Sequence, residues 1–382
     1  MLFTRKATSA SCRAVSRQQA SRVAAKRMLV AVRDAPKTGQ HSVEQDLMQE
    51  ALACFFTPEQ QAATAPTTGG VNNVVNYVST ADGHKYVVRI YNNGNKTEKV
   101  KTEHDILGQL SQQTLSFKVP AAKPALGSGE PYVVLSNGAA ACVFEIIPGE
   151  LAKTTSPEEV GRATGELCSA MAAVQLDSVP PIPPYYDVFK VHHAINRELF
   201  YQDAASNPAF EVCRGAMDFL VEQIRALEPK LEAYQQLGLP MQIIHGDLHY
   251  DNVMVLGDNV SGLLDFEFCA YDWRVMELAV ALSKYVGEEQ PLPLITQFVA
   301  GYAQKGQLSE QEIEILPDLI NLRIFSNVIY FTGRALAGED GIDSLTSRAG
   351  SYAKRVVWVN ANREAIVAAV KERMLQLATS AA

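Results

Sequence analysis

IIHGDLHYDN, residues 243–252, is the most informative stretch of this sequence, and the tripeptide DFE follows it at residues 265–267. The apolar residues 241–244 predict a short strand that delivers Asp247 onto a loop at its end. His245 and Gly246 precede that acid and would shape the turn. The stretch therefore predicts a polar loop held at the end of a buried strand.

The two segments should meet in space because a hairpin is predicted between them. Apolar runs at 253–256 and 260–264 flank the turn residues Gly-Asp-Asn, a composition that favours a tight connection between two strands. A hairpin folds the chain back on itself. Asp265 should therefore emerge beside Asn252, although thirteen residues separate the two.

An acid, an amide and a second acid are the groups that transfer of a γ-phosphoryl group to a hydroxyl needs. Such a reaction depends mainly on positioning the hydroxyl and on holding cations against the phosphate oxygens. Asp247 can orient the hydroxyl and take its proton. Asn252 and Asp265 offer the hard oxygen ligands that Mg²⁺ accepts.

These motifs resemble those of the aminoglycoside phosphotransferase-like small-molecule kinases, relatives of the protein kinases that include choline and ethanolamine kinases and one type of homoserine kinase. The loop motif of that family matches His245, Gly246, Asp247 and Asn252, and its metal-binding acid matches Asp265. The resemblance implies catalysis by Asp247 with Mg²⁺ held by Asn252 and Asp265. ATP and Mg²⁺ are the implied cofactors.

The resemblance also implies a fold and a class of acceptor. It predicts an α+β, bilobal protein-kinase-like fold, with a β-rich nucleotide-binding lobe at 41–147 and a mainly helical catalytic and substrate lobe at 148–382. Glu267 stands where eukaryotic protein kinases have Gly, and Asp-Phe-Glu is common in the small-molecule branch. The expected acceptor is therefore a small molecule and not a protein.

A glycine-rich segment precedes two predicted strands in the amino-terminal half. Gly69, Gly70 and Asn72 lie just ahead of the apolar runs 74–79 and 86–91. Glycines allow backbone N–H groups to approach phosphates closely, and an Asn side chain adds a donor. A Gly-Gly pair alone more often marks a plain turn. Its position ahead of the strands, taken with the resemblance, predicts contacts to ATP.

Arg89 lies where the family carries a cation that touches the nucleotide phosphates. Its partner should be a carboxylate on the following helix, which the apolar spacing predicts over residues 96–110. Glu103 is the first candidate and Glu98 the second. Either pairing would fix Arg89 toward ATP, whereas two surface charges would be the plainer interpretation.

The carboxyl-terminal half shows helical spacing of its apolar residues. Ser156, Pro157 and Glu159 form a start signal with a predicted capping box. Further helices are predicted at 275–285, 294–303, 310–336 with an interruption at Pro317, and 351–377. His192 and His193 fall in another predicted helix and are interpreted as structural. In the resembling family this half forms the acceptor pocket.

The first forty residues differ in composition from the rest. They contain nine Lys or Arg and one acid, with many Ser and Ala, which is typical of an organelle transit peptide. We expect this segment to be disordered and to direct the protein to a plastid, with the mitochondrion as the second choice. If the segment is only a basic tail, the enzyme would be cytoplasmic.

Charge and hydropathy of the remaining chain exclude several classes of partner. The 34 basic residues less these nine, against the 42 acids less one, give the remaining chain a net charge of −16. Such an acidic body argues against nucleic acid as a ligand. No uninterrupted apolar stretch approaches the length of a membrane span.

The acceptor itself is left open between related molecules. A small amino alcohol or hydroxy amino acid is expected, with homoserine first and choline or ethanolamine as the alternative. An aromatic cage from Tyr271, Trp273 and Trp358 would favour choline, and a basic side chain in the pocket would favour homoserine. Glu267 and Asp272 are weighed as contacts to a cationic substrate, with a structural role preferred for Asp272. A pseudokinase that only binds nucleotide or partners is the third possibility.

Overall fold

A computed structural model describes residues 40–67, 73–92, 94 and 96–380 of the chain. Nearly all of the predicted transit peptide therefore lies outside the described residues. The same holds for 68–72, which include the predicted phosphate-contacting residues Gly69, Gly70 and Asn72.

The amino-terminal lobe is built on one five-stranded antiparallel sheet. Its strands lie in the order β1-β2-β3-β5-β4 and have the bounds β1 Ala63–Pro66, β2 Val74–Ser79, β3 Lys85–Ile90, β4 Val133–Val134 and β5 Ala140–Glu145. Helix α1, Gln40–Phe55, packs its apolar side on this sheet, with Leu52 and Phe55 buried in one cluster with Val88 and Val143. The lobe thus has a core of its own.

Helix α2, Glu98–Leu110, joins this lobe to the rest of the molecule. Its buried residues Ile106 and Leu110 belong to the main hydrophobic core, which continues through the carboxyl-terminal half. The helix begins two residues later than the pattern predicted, after Thr97. Glu103 is among the buried residues of this helix and lies next to strand β3.

Five short strands form two small antiparallel sheets around the polar loop. They are β6 Glu150–Leu151, β7 Met241–Ile244, β8 Val253–Leu256, β9 Asn259–Leu263 and β10 Ala270–Trp273, arranged as β6-β8-β9 and β7-β10. The predicted hairpin is present as β8 and β9, with Gly257 at a φ of +62° in the turn, a left-handed conformation that suits glycine. The loop after β7 and the segment after β9 therefore lie side by side.

The remaining elements are helices packed into one carboxyl-terminal lobe. They are α3 Pro157–Met171, α4 Arg197–Ser206, α5 Arg214–Tyr234, α6 Val275–Tyr285, α7 Pro291–Tyr302, α8 Glu310–Leu336, α9 Asp343–Ala361 and α10 Arg363–Ser380. Helices α3 and α7 approach at the backbone, where a Cβ on Gly161 would lie 1.9 Å from the carbonyl oxygen of Phe298. The antiparallel sheets and this helical lobe make the chain a bilobal, protein-kinase-like α+β protein.

Several local predictions for this lobe were wrong. Helix α8 continues through Pro317 because nearly every side of it is buried, and tertiary packing outweighs the local cost of proline. The last predicted helix is two, divided at Asn362. His192 and His193 lie in a turn between helices.

The capping box was predicted at the wrong helix. Ser156 makes no side-chain capping bond, and Glu159 pairs with Arg162 at 2.8 Å. A capping box does begin α8, where the backbone N–H of Ser309 donates to Glu312 at 2.7 Å. Within the described residues, no helix is long and apolar enough to span a membrane.

Candidate active site

His245 links the two halves of the predicted site. Its Nε2 lies 2.9 Å from the carbonyl oxygen of Leu264, and its Nδ1 accepts from the backbone N–H of Asp247 at 3.3 Å. Both bonds require the neutral ring with its proton on Nε2. Burial lowers the pKa of His245 to about 4, which keeps the ring in that form. The histidine therefore positions the loop acid against the residue that precedes Asp265.

Gly246 permits the sharp turn that presents Asp247. Its φ is +77°, and a Cβ there would lie 2.5 Å from the carbonyl oxygen of Phe268. A residue with a side chain would be strained at this φ and would also clash with the Phe268 carbonyl. The Gly246 carbonyl in turn accepts from the hydroxyl of Tyr185 at 2.6 Å. The turn is thus held from the side of the helical lobe as well.

Asp247, Asn252 and Asp265 come together as the hairpin predicted. The Asn252 side-chain N–H donates to the Asp247 carbonyl at 2.9 Å, and the Asn252 carbonyl accepts from the backbone N–H of Leu264 at 2.8 Å. This orientation leaves the side-chain oxygen of Asn252 as the atom that could serve as a ligand. Asp265 has a φ of +68°, an uncommon conformation for a residue other than glycine, which turns the acid back toward the loop.

Arg89 bridges the two lobes through two carboxylates. Its Nη1 lies 3.1 Å from Glu103 and its Nη2 lies 3.2 Å from Asp265. Glu103, and not Glu98, is the helical partner. The second oxygen of Glu103 accepts from the Tyr91 hydroxyl at 2.9 Å. Arg89, a strand residue of the first lobe, therefore pairs with Asp265 of the second lobe.

Glu267, weighed above as a contact to a cationic substrate, also joins the lobes. Its carboxylate accepts from the side chain of Asn73 at 2.6 Å, and Asn73 accepts from the backbone N–H of Asn92 at 3.1 Å. Asn73 directly follows the glycine-rich segment and precedes β2. The hydrogen bond between Asn73 and Glu267 therefore connects the start of β2 to the DFE residues.

Asp272 has the structural role that the sequence favoured, but in a strand and not at a helix start. It is fully buried and accepts from the backbone N–H groups of Tyr185 at 2.6 Å and of Trp273 at 2.7 Å. Trp273 is 3% exposed, and its ring packs on Tyr186 with 4.8 Å between centroids. Trp273 is therefore packed in the core and does not offer its ring to an aromatic cage.

A basic side chain that the sequence did not single out contacts the loop acid. Arg323, on α8, places Nη2 2.5 Å from Oδ1 of Asp247. Burial alone would lower the pKa of the Arg323 guanidinium. The neighbouring Tyr185 and Asp247 have the larger combined effect, so this pKa lies above its usual value. A permanent positive charge therefore lies against the predicted catalytic acid.

Comparison with known proteins places this site in a family. The profile of the APH phosphotransferase enzyme family matches residues 64–312, which include Arg89, Asp247 and Asp265 but end before Arg323. The chain belongs to this phosphotransferase family. Together with its kinase relatives, this makes the protein a small-molecule kinase that phosphorylates a hydroxyl, and the pseudokinase alternative is set aside.

Curated relatives of this kinase include homoserine kinases. It is 26% identical over 305 residues to homoserine kinase of Sinorhizobium medicae, covering 76% of this chain and 86% of that protein. It is 37% identical over 140 residues to homoserine kinase of Sinorhizobium fredii, covering 34% of this chain and 43% of that protein. The second match thus spans less than half of that relative.

Solved structures share the fold at low sequence identity. A microcompartment-associated aminopropanol kinase superimposes with a TM-score of 0.63 at 18% identity, covering 84% of this chain and 98% of the other. Amicoumacin kinase in complex with AMP-PNP and Ca²⁺ gives a TM-score of 0.58 at 18% identity, covering 80% and 92%. These likenesses establish the bilobal architecture.

Loss of the Arg89 bridge should destabilise the kinase. Arg89→Met leaves the buried Glu103 and the partly exposed Asp265 without their cation, and breaking a buried pair from one side costs about 3–5 kcal/mol. Urea unfolding should show this loss of unfolding free energy. Arg89→Met with Glu103→Gln should recover part of it, because no ionised Glu103 is left unpaired. Equal stability of the two variants would contradict the interpretation.

Glu277, on α6, is a second residue that the sequence did not indicate. Its carboxylate accepts from the backbone N–H of His245 at 2.5 Å, and burial raises the pKa of Glu277 to about 8 from an ordinary value of 4.5. The folded protein therefore binds more protons than the unfolded chain between these two pH values. The contribution of Glu277 to stability is greatest below about pH 4.5 and is lost as pH rises through about 8.

Glu277→Gln should remove this pH dependence while keeping an oxygen for the His245 N–H group. Relative to the wild-type kinase, the unfolding free energy of the variant should rise between pH 5 and pH 8, by at most about 1.4 kcal/mol per pH unit. Urea unfolding at pH 5, 6.5 and 8 measures the difference. Parallel profiles for the two proteins would mean that Glu277 does not titrate in this range.

Proposed function

We propose that this kinase transfers the γ-phosphoryl group of ATP to the hydroxyl of homoserine. The observation that carries the choice of acceptor is the contact between Arg323 and Asp247. A guanidinium beside the acid that meets the acceptor hydroxyl suits a molecule that also has a carboxylate. Homoserine combines a hydroxyl, an ammonium and a carboxylate in one small molecule.

In the proposed reaction, the acceptor hydroxyl oxygen attacks the γ-phosphorus in line with the β,γ-bridging oxygen. The new P–O bond forms as the bond to that bridging oxygen breaks, and ADP leaves with its electron pair. Asp247 orients the hydroxyl and takes its proton. Gly69, Gly70 and Asn72 would contact the phosphates through backbone and amide donors, and Arg89, fixed by Glu103, would hold the nucleotide end of the site.

The residues at the junction of the lobes fit a magnesium ion. Asn252 and Asp265 offer hard oxygen atoms, the ligand type that Mg²⁺ prefers. Burial, with Glu267 and Asp247 nearby, raises the pKa of Asp265 to about 6 although Arg89 opposes the rise. An excess of neighbouring carboxylates favours a divalent cation, which would neutralise charge on the phosphates. Amicoumacin kinase, a neighbour in fold, was solved with AMP-PNP and Ca²⁺.

Choline is the weaker candidate for the acceptor. A quaternary ammonium prefers an aromatic cage, yet Trp273 is turned into the core against Tyr186 and Tyr271 is 43% exposed. A cation beside Asp247 would repel the ammonium of choline or ethanolamine, and these molecules have no carboxylate to offset that repulsion. The homoserine kinases among the relatives support the same choice.

A kinetic panel tests the proposal. The full-length protein is assayed with MgATP and homoserine, ethanolamine or choline, and ADP release gives kcat/KM for each. We expect kcat/KM for homoserine to exceed that for choline by about 100-fold or more, since a site built to pair a charged group rejects molecules that lack it. Preference for choline or ethanolamine would refute the assignment.

A further inference from the structure

The proposed catalytic acid forms an ion pair with a cation that is largely shielded from solvent. Nη2 of Arg323 donates to Oδ1 of Asp247 at 2.5 Å, and only 15% and 18% of the two side chains are exposed. A contact this short and shielded differs from an exposed surface pair, which contributes little. The carboxylate that must meet the acceptor hydroxyl therefore has one oxygen engaged by a guanidinium.

The guanidinium is held in position by groups other than Asp247. Its Nη1 donates to the side chain of Asn327, one turn further along α8. Its central carbon lies 5.8 Å from the ring centroid of Tyr185, and the hydroxyl of Tyr185 donates to the carbonyl of Gly246 in the catalytic loop. Arg323 would therefore keep its place beside the loop if Asp247 were drawn away.

This arrangement creates a competition that an anion can resolve. Oδ1 of Asp247 accepts from Arg323, so the acceptor hydroxyl must compete with the guanidinium for that oxygen. Asn327 and Tyr185 are uncharged, so without Asp247 a guanidinium that is only 15% exposed would have no counter-charge among the groups that hold it, which is unfavourable. A group that replaces Asp247 at Arg323 is therefore expected to carry negative charge.

We propose that the carboxylate of the acceptor is this group: it binds Arg323 and so releases Oδ1 of Asp247 to the acceptor hydroxyl. The inference rests on the proposed function and names Arg323 as the residue that determines specificity within it. The planar fork of the guanidinium matches a carboxylate with two donors. Because Arg323 and Asp247 are in contact, one small molecule can reach both with its two ends.

Discrimination between acceptors should then affect kcat as well as KM. A hydroxy amino acid exchanges one ion pair for another when its carboxylate reaches Arg323. When an amino alcohol without a carboxylate binds, Asp247 remains paired with Arg323. The hydroxyl of the amino alcohol must then compete with the guanidinium for Asp247. It should therefore have a lower kcat and not only a higher KM.

The test compares two acceptors that differ only in the carboxylate. 3-Amino-1-propanol is homoserine without that group, and kcat and KM for both are measured on the full-length wild-type and Arg323→Met proteins with MgATP. Methionine keeps much of the arginine's length without its charge. The wild-type preference for homoserine should fall about 100-fold in the variant, because homoserine loses its carboxylate partner while kcat for 3-amino-1-propanol rises or is unchanged.

Lys284→Met is the matched control. Lys284 is also near the loop, but its ammonium lies 2.5 Å from Asp251 and not from Asp247. Removing it should change kcat/KM for the two acceptors in the same proportion. Arg323→Lys keeps the charge but loses the fork, so it should retain most of the preference for homoserine with a lower rate. This variant also decides the question if Arg323→Met does not fold.

Each outcome has a distinct meaning. An equal loss of kcat/KM for both acceptors in Arg323→Met would show that Arg323 only shapes the site, and would overturn the inference with the homoserine assignment intact. The inference is also overturned if Arg323→Lys loses the preference altogether. A wild-type protein that phosphorylates neither acceptor would instead refute the proposed function.

Discussion

Asp247→Asn should lower kcat by about 10³-fold while leaving the kinase folded, since loss of a positioned general base removes about 10²- to 10⁴-fold of rate. Asparagine keeps the size of the side chain and one oxygen for Arg323, but it cannot take the proton of the acceptor hydroxyl. The KM for ATP should change little, because Asp247 is assigned to the acceptor. Steady-state ADP release with homoserine measures both parameters.

Asp251→Asn is the control for this substitution. Asp251 lies in the same loop and pairs with Lys284 at 2.5 Å, but no role in proton transfer is proposed for it. The control should keep kcat within about threefold of wild type, which is the effect expected of a charge removed from a partly exposed ion pair. An Asp247→Asn protein with more than about a tenth of wild-type kcat would contradict the assigned role.

Asp265→Asn should remove most of the metal-dependent activity. The substitution replaces an anionic ligand by a neutral one, and metal stabilisation of transferring phosphate contributes several kcal/mol. We expect kcat/KM for MgATP to fall by about 10³-fold. Titration of Mn²⁺ by electron paramagnetic resonance, in the presence of a non-hydrolysable ATP analogue, should show weakened binding in the variant. This readout does not depend on turnover.

Asp258→Asn controls for the loss of one negative charge from the same hairpin. Asp258 is exposed in the turn between β8 and β9, so its replacement should leave Mn²⁺ binding unchanged. Wild-type affinity for Mn²⁺ in Asp265→Asn would remove Asp265 from the metal site. Weakened binding in both variants would indicate a general effect of charge instead of a specific ligand.

The parts of the site that the sequence predicted are those fixed by local structure. Asn252 and Asp265 meet because a hairpin of short strands returns the chain, and composition alone indicates such a turn. Arg89 and Glu103 meet because a strand is followed directly by a helix with one apolar face. In both cases few residues separate the partners, so pattern and spacing were sufficient.

The parts that escaped prediction depend on packing between distant elements. Arg323 is 76 residues from Asp247, and Tyr185 is 61 residues from Gly246. No periodicity relates them, because helices of the carboxyl-terminal lobe bring them together. One signal was present for Arg323: a single cation within the apolar run INLRIF at 320–325. A charge on a buried helix requires a partner, but the sequence does not name it.

Identification of the product tests the central claim most directly. Full-length kinase is incubated with MgATP and homoserine, and phosphorus-31 nuclear magnetic resonance follows the γ-phosphate. Our account predicts a phosphomonoester on the homoserine hydroxyl, formed in equal amount with ADP and absent with Asp247→Asn. Release of inorganic phosphate without the ester, or no loss of ATP with homoserine present, would contradict it.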